Sequence, residues 1–213
     1  MNDDLRLQAW TTRAELKSGA LRGAELLARL VAVPAAERDV WTDELLGLGE
    51  TPPDLADLPR GAVPYLPTGV DEILTMVREV PLRPDDQLVD LGSGMGRVVI
   101  LAHLLSGARA CGVEIQKPLV DCARACSAAL ALTGVSFVHK NAAETELDGS
   151  IFFFYSPFNG ETLRRVVRRL ADVARRRPIV VCAVGLEFPD EHWLHRRETS
   201  SLSLTLYDSD RPR

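Results

Sequence analysis

The chain has 213 residues, of which 46% are hydrophobic and 26% are charged, and its formal net charge is −5. This composition excludes a chain that is disordered by default and fits one globular domain with a small appendage, because a domain commonly takes about 100–200 residues. The net negative charge argues against a nucleic-acid partner held by the protein as a whole, although a local basic patch stays compatible with it.

Nothing in the sequence predicts a membrane partner. The best apolar run, residues 98–105, is interrupted by His103 and is far shorter than the roughly 18 residues that a membrane span needs. The chain begins Met-Asn-Asp-Asp, which is acidic where a secretory signal would be basic, so we expect a cytoplasmic protein. The four cysteines form no Cys-x-x-Cys pair, which favours structural thiols over a metal or redox site.

Residues 1–50 are predicted to form a helical extension that is somewhat detached from the rest. Leu26, Leu27 and Leu30 recur at helical spacing, and Gly47 follows as a stop signal. Residues 51–67 contain five prolines, so they can form neither a helix nor a central strand and should run extended over the surface as a linker. We place the domain boundary in this linker, which leaves residues 68–213 as the main domain.

The main domain alternates strands and helices after a first helix, for which Thr68 is a plausible N-cap. Strands are predicted at residues 87–91, 108–113, 135–139, 151–155 and 179–184, and helices at residues 97–105, 118–132 and 161–174. Helices of this length between strands imply right-handed crossovers, and therefore a doubly wound α/β domain with a parallel sheet covered on both faces. Residues 193–207 are predicted to add an antiparallel hairpin at the sheet edge.

A glycine turn follows the first strand of this domain. Gly92, Gly94 and Gly96 lie between an apolar strand and a helix, where the backbone must turn sharply and let a ligand approach, although glycines here can also serve packing alone. Arg97 holds the position of the third glycine of a dinucleotide fingerprint. Asp90 precedes the turn, where a carboxylate attracts a cation and a pyrophosphate would favour bare N–H groups. The turn thus predicts a nucleotide ligand with positive charge nearby.

The stretch Val-Asp-Leu-Gly-Ser-Gly-Met-Gly at residues 89–96 resembles the first motif of class I S-adenosylmethionine-dependent methyltransferases. The resemblance extends from about residue 65 to residue 185 and implies a Rossmann-like fold with S-adenosylmethionine as the cofactor. It implies that the methionine part of the cofactor is held by Asp90, Gly92, Ser93, Gly94 and Gly96. The segment Tyr65-Leu66-Pro67-Thr68 resembles one that precedes the core in some of these enzymes, including lysine methyltransferases of the Dot1 type. Tyr65 either closes over the cofactor or packs the linker onto the domain.

Two further positions match the cofactor site of that family. Glu114 ends the second strand, where a carboxylate binds both ribose hydroxyls, since its two oxygens can accept from two adjacent O–H donors; a solvent-facing glutamate is the alternative. Asn141 and Ala142 follow the third strand in a segment similar to the one that meets the adenine. The usual residue there is Asp, but Asn141 still offers a carbonyl acceptor. A plain turn asparagine is the alternative.

The turn after the fourth strand is the candidate acceptor site. The sequence Tyr155-Ser156-Pro157-Phe158 resembles the Asn/Asp-Pro-Pro-Tyr/Phe motif of methyltransferases that act on amino nitrogens. The resemblance implies that Ser156, Pro157 and Phe158 handle the acceptor, with Tyr155 beside the cofactor and the Phe158 ring stabilising the cation that forms. Ser156 replaces the usual Asn or Asp, so nitrogen is only slightly favoured over oxygen; an oxygen acceptor would want a general base, and no motif places one. A strand end terminated by Ser-Pro is the alternative.

These observations predict a methyltransferase whose acceptor is a small molecule or a protein, with the N-terminal helices covering part of the substrate cleft. A non-catalytic protein that binds an S-adenosyl ligand in the same fold is the main alternative, and a nicotinamide oxidoreductase is a distant third. No spacing of metal ligands is present in the sequence. The arginines of residues 164–169 form either a solvated helix face or a contact for an acidic substrate, an acidic protein or RNA. The oligomeric state is not predicted.

Overall fold

The computed structural model describes residues 1–210, which form seven helices and seven strands. The helices are α1 (Asp3–Ser18), α2 (Gly23–Ala32), α3 (Ala35–Leu46), α4 (Val70–Glu79), α5 (Arg97–Ser106), α6 (Lys117–Ala129) and α7 (Gly160–Ala174). The strands are β1 (Gln87–Leu91), β2 (Arg109–Glu114), β3 (Val135–His139), β4 (Ile151–Tyr155), β5 (Val180–Val184), β6 (Leu194–Arg197) and β7 (Leu204–Ser209). No helix of this described part is long and apolar enough to cross a membrane.

All seven strands form one sheet in the order β3-β2-β1-β4-β5-β7-β6. The first five are parallel to one another, and β7 runs antiparallel to both β5 and β6. The doubly wound α/β fold and the C-terminal antiparallel hairpin are therefore confirmed. The reversal of strand order lies between β1 and β4, which is where ligands bind in open sheets of this kind.

The central strand β4 shows why the sheet is covered on both faces. Its sequence Ile-Phe-Phe-Phe-Tyr is apolar at every position, and its first four residues are buried, as expected for a central parallel strand. Successive side chains point to opposite faces. Phe153 packs into the core with α4, α5 and α6, whereas Phe152 and Phe154 pack into a second core with α7.

The N-terminal helices are not detached from the sheet. Leu26 of α2 and Trp41 of α3 are fully buried and belong to the same hydrophobic core as Val99 of α5. Gly47 ends α3 in the left-handed conformation with φ 72°, as its position in the sequence predicted. The expectation of a loosely attached extension was wrong, because α2 and α3 bury their apolar faces against α4 and α5.

Residues 51–67, called the strap below, contain no helix or strand apart from an isolated antiparallel bridge between Ala62 and Phe158. The strap crosses the carboxyl ends of the parallel strands. Thr68, just after it, is not the N-cap of α4: the cap is Gly69, and it makes no side-chain hydrogen bond. The N–H of Val70, the first residue of α4, donates instead to Asp39 of α3 at 2.7 Å, so a neighbouring helix satisfies this helix end.

Candidate functional site

The glycine turn has the backbone conformation that its sequence predicted. Gly92, Gly94 and Gly96 have φ values of 89°, 51° and 85°, in the left-handed region that side chains with a Cβ disfavour. A Cβ on Gly92 would overlap the Pro157 ring, and a Cβ on Gly94 would overlap the Tyr65 ring. Two of the predicted site residues therefore lie directly against the turn.

Asp90, the residue at the end of β1 before this turn, is a buried carboxyl without a partner. Its side chain is 2% exposed, and no group within residues 1–210 donates a hydrogen bond to it. Burial, and secondarily the charge of Glu114, raise the pKa of Asp90 well above its ordinary value. A cation bound beside Asp90 would favour the ionised carboxylate, so this residue fits a positively charged ligand.

Glu114 fastens the glycine turn to the end of β2. One carboxylate oxygen, Oε2, accepts the Gly94 N–H at 2.9 Å. The other, Oε1, accepts the N–H groups of Ile115 and Gln116, each at 2.8 Å. A carboxylate has about four acceptor sites, so these three bonds use most of them. Glu114 has a structural role that the sequence did not reveal, in addition to any role toward a ligand.

A cavity of about 200 Å³ lies between the strap and the carboxyl ends of the strands. The predicted site residues that line it are Tyr65, Gly92, Glu114, Asn141, Ala142, Tyr155, Ser156, Pro157 and Phe158. Of the predicted residues in the described chain, Asp90, Ser93, Gly94 and Gly96 do not line it. The strap contributes residues 59, 60 and 62–66 to the cavity wall, and none of the lining residues comes from α1–α3. The strap therefore takes the covering position that we expected for the N-terminal helices.

Asn141 stands in a turn and also faces this cavity. Its side-chain Oδ1 accepts the Ala143 N–H at 3.0 Å, and its main-chain carbonyl accepts from the Thr145 hydroxyl at 2.8 Å. Asn141 therefore stabilises the turn, which was the alternative interpretation of this residue. Because Asn141 and Ala142 both line the cavity, the adenine role stays a prediction beside it.

The turn after β4 is strained at Ser156. This residue has φ 42°, a conformation that is uncommon for residues other than glycine and often marks a functional site. Its hydroxyl lies 2.6 Å from the Gly185 carbonyl oxygen and 3.2 Å from that of Val184. The hydroxyl therefore donates its proton at the end of β5, and its oxygen keeps lone pairs that can accept a hydrogen bond from an acceptor N–H.

Phe158 belongs both to the cavity wall and to the core. Its side chain is 6% exposed and packs edge to face on Phe154, with ring centroids 6.0 Å apart and planes at 83°. It also lines the cavity. Its predicted contact with the acceptor stays a prediction, and its packing role is now evident.

The comparisons with known proteins agree with this geometry. The family described as histone methylation protein DOT1 matches residues 65–153, less than half of the chain. An RNA methyltransferase from Salinibacter ruber, crystallised with S-adenosyl-L-homocysteine, is 25% identical over 70% of this chain and 95% of its own, with a TM-score of 0.53. The chain has the fold of class I S-adenosylmethionine-dependent methyltransferases. The predicted resemblance is therefore confirmed.

More distant structures share the class I methyltransferase fold alone. A mutant of MtNAS in complex with S-adenosylmethionine is 17% identical, with a TM-score of 0.53, and the match covers 68% of this chain and 62% of that protein. Geranyl diphosphate C-methyltransferase from Streptomyces coelicolor is 16% identical, with a TM-score of 0.50, over 67% of this chain and 80% of its own. No curated protein matches the chain.

Two predicted cofactor residues of the class I motif, Ser93 and Gly96, also pack the glycine turn onto the sheet. The Ser93 hydroxyl is buried, finds no hydrogen-bond partner among the described residues and lies over Gly112 of β2. A Cβ on Gly96 would overlap Phe137 of β3. Their positions favour close packing, and direct contact of their side chains with a cofactor stays a prediction.

Arg97 has a role that the sequence did not reveal. Its side chain is 4% exposed, and its guanidinium donates to both carboxylate oxygens of Asp43 at 2.6–3.0 Å and to the Thr68 carbonyl at 2.6 Å. Burial raises the pKa of Asp43, and Arg97 opposes that rise. The pair joins α3 to the start of α5. A buried arginine requires such a partner, but the sequence offers many carboxylates and does not say which one.

The arginines of α7 form a solvated face. Arg164 and Arg168 pair with Glu161 at 2.9 and 3.0 Å. Arg169 donates to the Ala143 carbonyl at 2.7 Å. These contacts favour the solvated interpretation over a contact for an acidic partner. Among residues 1–210, no group of three or more histidine, cysteine, aspartate or glutamate side chains could hold a metal ion.

Proposed function

We propose that this chain is an S-adenosylmethionine-dependent methyltransferase. The observation that carries the proposal is the partnerless, buried Asp90 beside the left-handed glycine turn, at the sheet edge where the cavity opens. A desolvated carboxyl costs free energy unless a cation binds next to it. S-adenosylmethionine carries two cationic groups, and the Salinibacter ruber relative was crystallised with the demethylated form of this cofactor.

The cofactor would lie across the carboxyl ends of β1, β2 and β3. Its methionine part would meet the glycine turn and Asp90, its ribose would meet Glu114, and its adenine would meet Asn141 and Ala142. When bound, its sulfonium supplies an activated methyl group for in-line displacement by the acceptor. The residues of this chain then have to align the two reactants and exclude water.

The acceptor would bind at the turn of residues 155–158. We favour a nitrogen on a small molecule or a protein because the turn resembles that of amino methyltransferases, although Lys140 lines the cavity and could serve an oxygen acceptor as a base. The Ser156 hydroxyl is engaged by Gly185, and the Pro157 carbonyl accepts the Val63 N–H at 3.1 Å. The main-chain carbonyl and the hydroxyl oxygen of Ser156 are then groups of this turn that could accept from an acceptor N–H.

A non-catalytic protein that binds the same ligand is the second candidate. The observation that favours it is Ser156 in place of Asn or Asp, because its hydroxyl donates to Gly185 and offers an acceptor oxygen on a shorter side chain. Cofactor binding is common to both candidates. Methyl transfer separates them.

Calorimetry with S-adenosylmethionine, S-adenosylhomocysteine and NAD tests the cofactor, and we expect binding of the first two only. Radiolabelled S-adenosylmethionine with cell extract then tests transfer, with Asp90→Ala as the control. Extract treated with protease, with ribonuclease or by filtration identifies the acceptor as protein, RNA or small molecule. NAD binding without S-adenosyl binding would overturn the assignment, whereas binding without transfer would support the non-catalytic candidate.

A further inference from the structure

The strap is fastened to the cofactor side of the site by one side chain, Gln116. This residue is 3% exposed. Its Oε1 accepts the Leu55 N–H at 2.9 Å, and its Nε2 donates to Asp54 Oδ1 at 2.7 Å. The same Asp54 oxygen accepts the Tyr65 N–H at 2.9 Å. Gln116 therefore reaches both the beginning of the strap and, through Asp54, its end.

The backbone of Gln116 is itself fixed at the proposed ribose site. Its N–H donates to Glu114 Oε1 at 2.8 Å, and its carbonyl accepts from Leu119 and Val120 in the first turn of α6. The side chain thus extends from a rigid loop to a segment that has no regular structure. A group on a fixed backbone loses little freedom when it bonds, so it is well placed to hold a mobile partner.

The strap has a second fastening at the acceptor turn, made by backbone groups. The Val63 N–H donates to the Pro157 carbonyl at 3.1 Å, and the Asn159 N–H donates to the Gly61 carbonyl at 2.9 Å. Tyr65, whose N–H is bonded to Asp54, lies with its ring against Gly94. Loss of the Gln116 contacts would loosen the strap from Asp54 up to Arg60, while Gly61 and Val63 stay bonded to the acceptor turn.

We infer that Gln116 is a positioning residue that holds the strap, and with it Tyr65, over the cofactor end of the cavity. Gln116 acts through Asp54 and Leu55, so its removal should loosen the strap and weaken cofactor binding without unfolding the domain. The inference about cofactor affinity rests on the proposed function. The inference about the strap does not.

Limited trypsin digestion measures how accessible the strap is, because Arg60 is the one lysine or arginine within residues 51–67. Gln116→Leu keeps the volume of the side chain and removes its hydrogen bonds, so cleavage after Arg60 should become about tenfold faster. The melting temperature should change little. Arg60→Gln identifies the fragments, and Gln8→Leu on the exposed face of α1 is the matched control.

A charge exchange makes the test specific for the contact with Asp54. Gln116→Glu replaces the donor by a carboxylate facing Asp54, and should speed cleavage as much as Gln116→Leu. Combining it with Asp54→Asn restores one donor and one acceptor, and should return the cleavage rate at least partly to that of the wild type. A double variant that is cleaved as fast as the single one would overturn the pairing.

The affinity for S-adenosylhomocysteine completes the experiment. We expect the dissociation constant of Gln116→Leu to rise about fivefold to tenfold. Unchanged cleavage after Arg60 would overturn the inference, and so would a large fall in melting temperature with cleavage throughout the chain. If the wild type binds no S-adenosyl ligand, the proposed function fails, while the cleavage rates still decide the role of Gln116.

Discussion

Glu114 combines three backbone hydrogen bonds with the proposed ribose contact, and two variants separate these roles. Glu114→Ala removes all three acceptor contacts, so it should lower the free energy of unfolding by about 1–3 kcal/mol and weaken S-adenosylhomocysteine binding. Glu114→Gln keeps one acceptor oxygen and should retain more stability, yet bind about tenfold more weakly, because it loses the charge that strengthens hydrogen bonds. Urea unfolding and calorimetry measure the two effects.

The exposed Glu146→Gln is the control for the charge change. If Glu114→Gln binds S-adenosylhomocysteine as tightly as the wild type, Glu114 has its backbone role alone. The bond to Gly94 gives Glu114 a role in the fold that a solvent-facing glutamate would not have.

Asp90 should make cofactor binding depend on pH. Its pKa is raised in the folded protein, so the ligand-free fold binds the proton more tightly than the unfolded chain, and its stability should fall as the pH rises through that window. A cationic ligand needs the ionised form, so its affinity should rise over the same window. Asp90→Asn should raise the ligand-free melting temperature near pH 7.5 and abolish the pH dependence of binding.

Calorimetry at about pH 5.5 and about pH 7.5, below the usual pKa of the ligand's α-amino group, measures that dependence. Equal affinity of the wild type at both values, with Asp90→Asn binding as tightly as the wild type, would show that Asp90 does not face the cation. Ser136→Ala on β3, a residue outside the cavity, controls for the effect of mutating a polar group of the sheet.

At the level of elements, the pair of Arg97 and Asp43 holds α3 against α5. Arg97→Leu would leave the Asp43 carboxylate without its partner, and should cost about 2–3 kcal/mol of unfolding free energy, less than for a fully buried pair because Asp43 is partly exposed. Asp43→Asn keeps an oxygen acceptor and should cost less. Thermal unfolding of both variants tests this order; equal losses would mean that the ion pair accounts for the whole effect and that the Thr68 contact adds little.

The parallel strands were predictable because each is a short, largely apolar run bounded by polar or glycine residues. The bounds of β1, β3 and β4 agree with the predicted ones. Strand bounds can be predicted from local patterns, because a buried parallel strand requires a run of apolar residues at consecutive positions of the sequence. The glycine turn followed from its place between an apolar strand and a helix, whereas Glu114, Asn141 and Ser156 were assigned to the site by the resemblance to class I methyltransferases.

The contacts of the strap were not predictable. Gln116 and Asp54 lie 62 positions apart, and Arg97 and Asp43 lie 54 apart. No periodicity connects such pairs, because they depend on how separate elements meet in space. The prediction that Thr68 caps the N-terminus of α4 was wrong for the same reason. Asp39 of another helix accepts the hydrogen bond that was expected of Thr68.

For the molecule as a whole, the shared core predicts that residues 1–50 are needed for folding. A chain lacking them would expose the face of α5 that packs on α2, so it should aggregate or bind the dye ANS, with a loss of cooperative unfolding. Circular dichroism and thermal unfolding of residues 51–213 beside the full chain measure this. Cooperative unfolding with full cofactor affinity would support the predicted domain boundary at residues 51–67.

The shared core has an evolutionary consequence. The segment that matches the DOT1 family ends at residue 153, inside β4, and therefore omits β5, β6 and β7 as well as the three N-terminal helices. The recognisable family segment is thus shorter than the part of the chain that shares the fold. Because α1–α3 bury their side chains on the same elements that carry the motif, the two parts of the gene are expected to diverge together, and exchange of the motif alone between relatives would leave the recipient with a mismatched core.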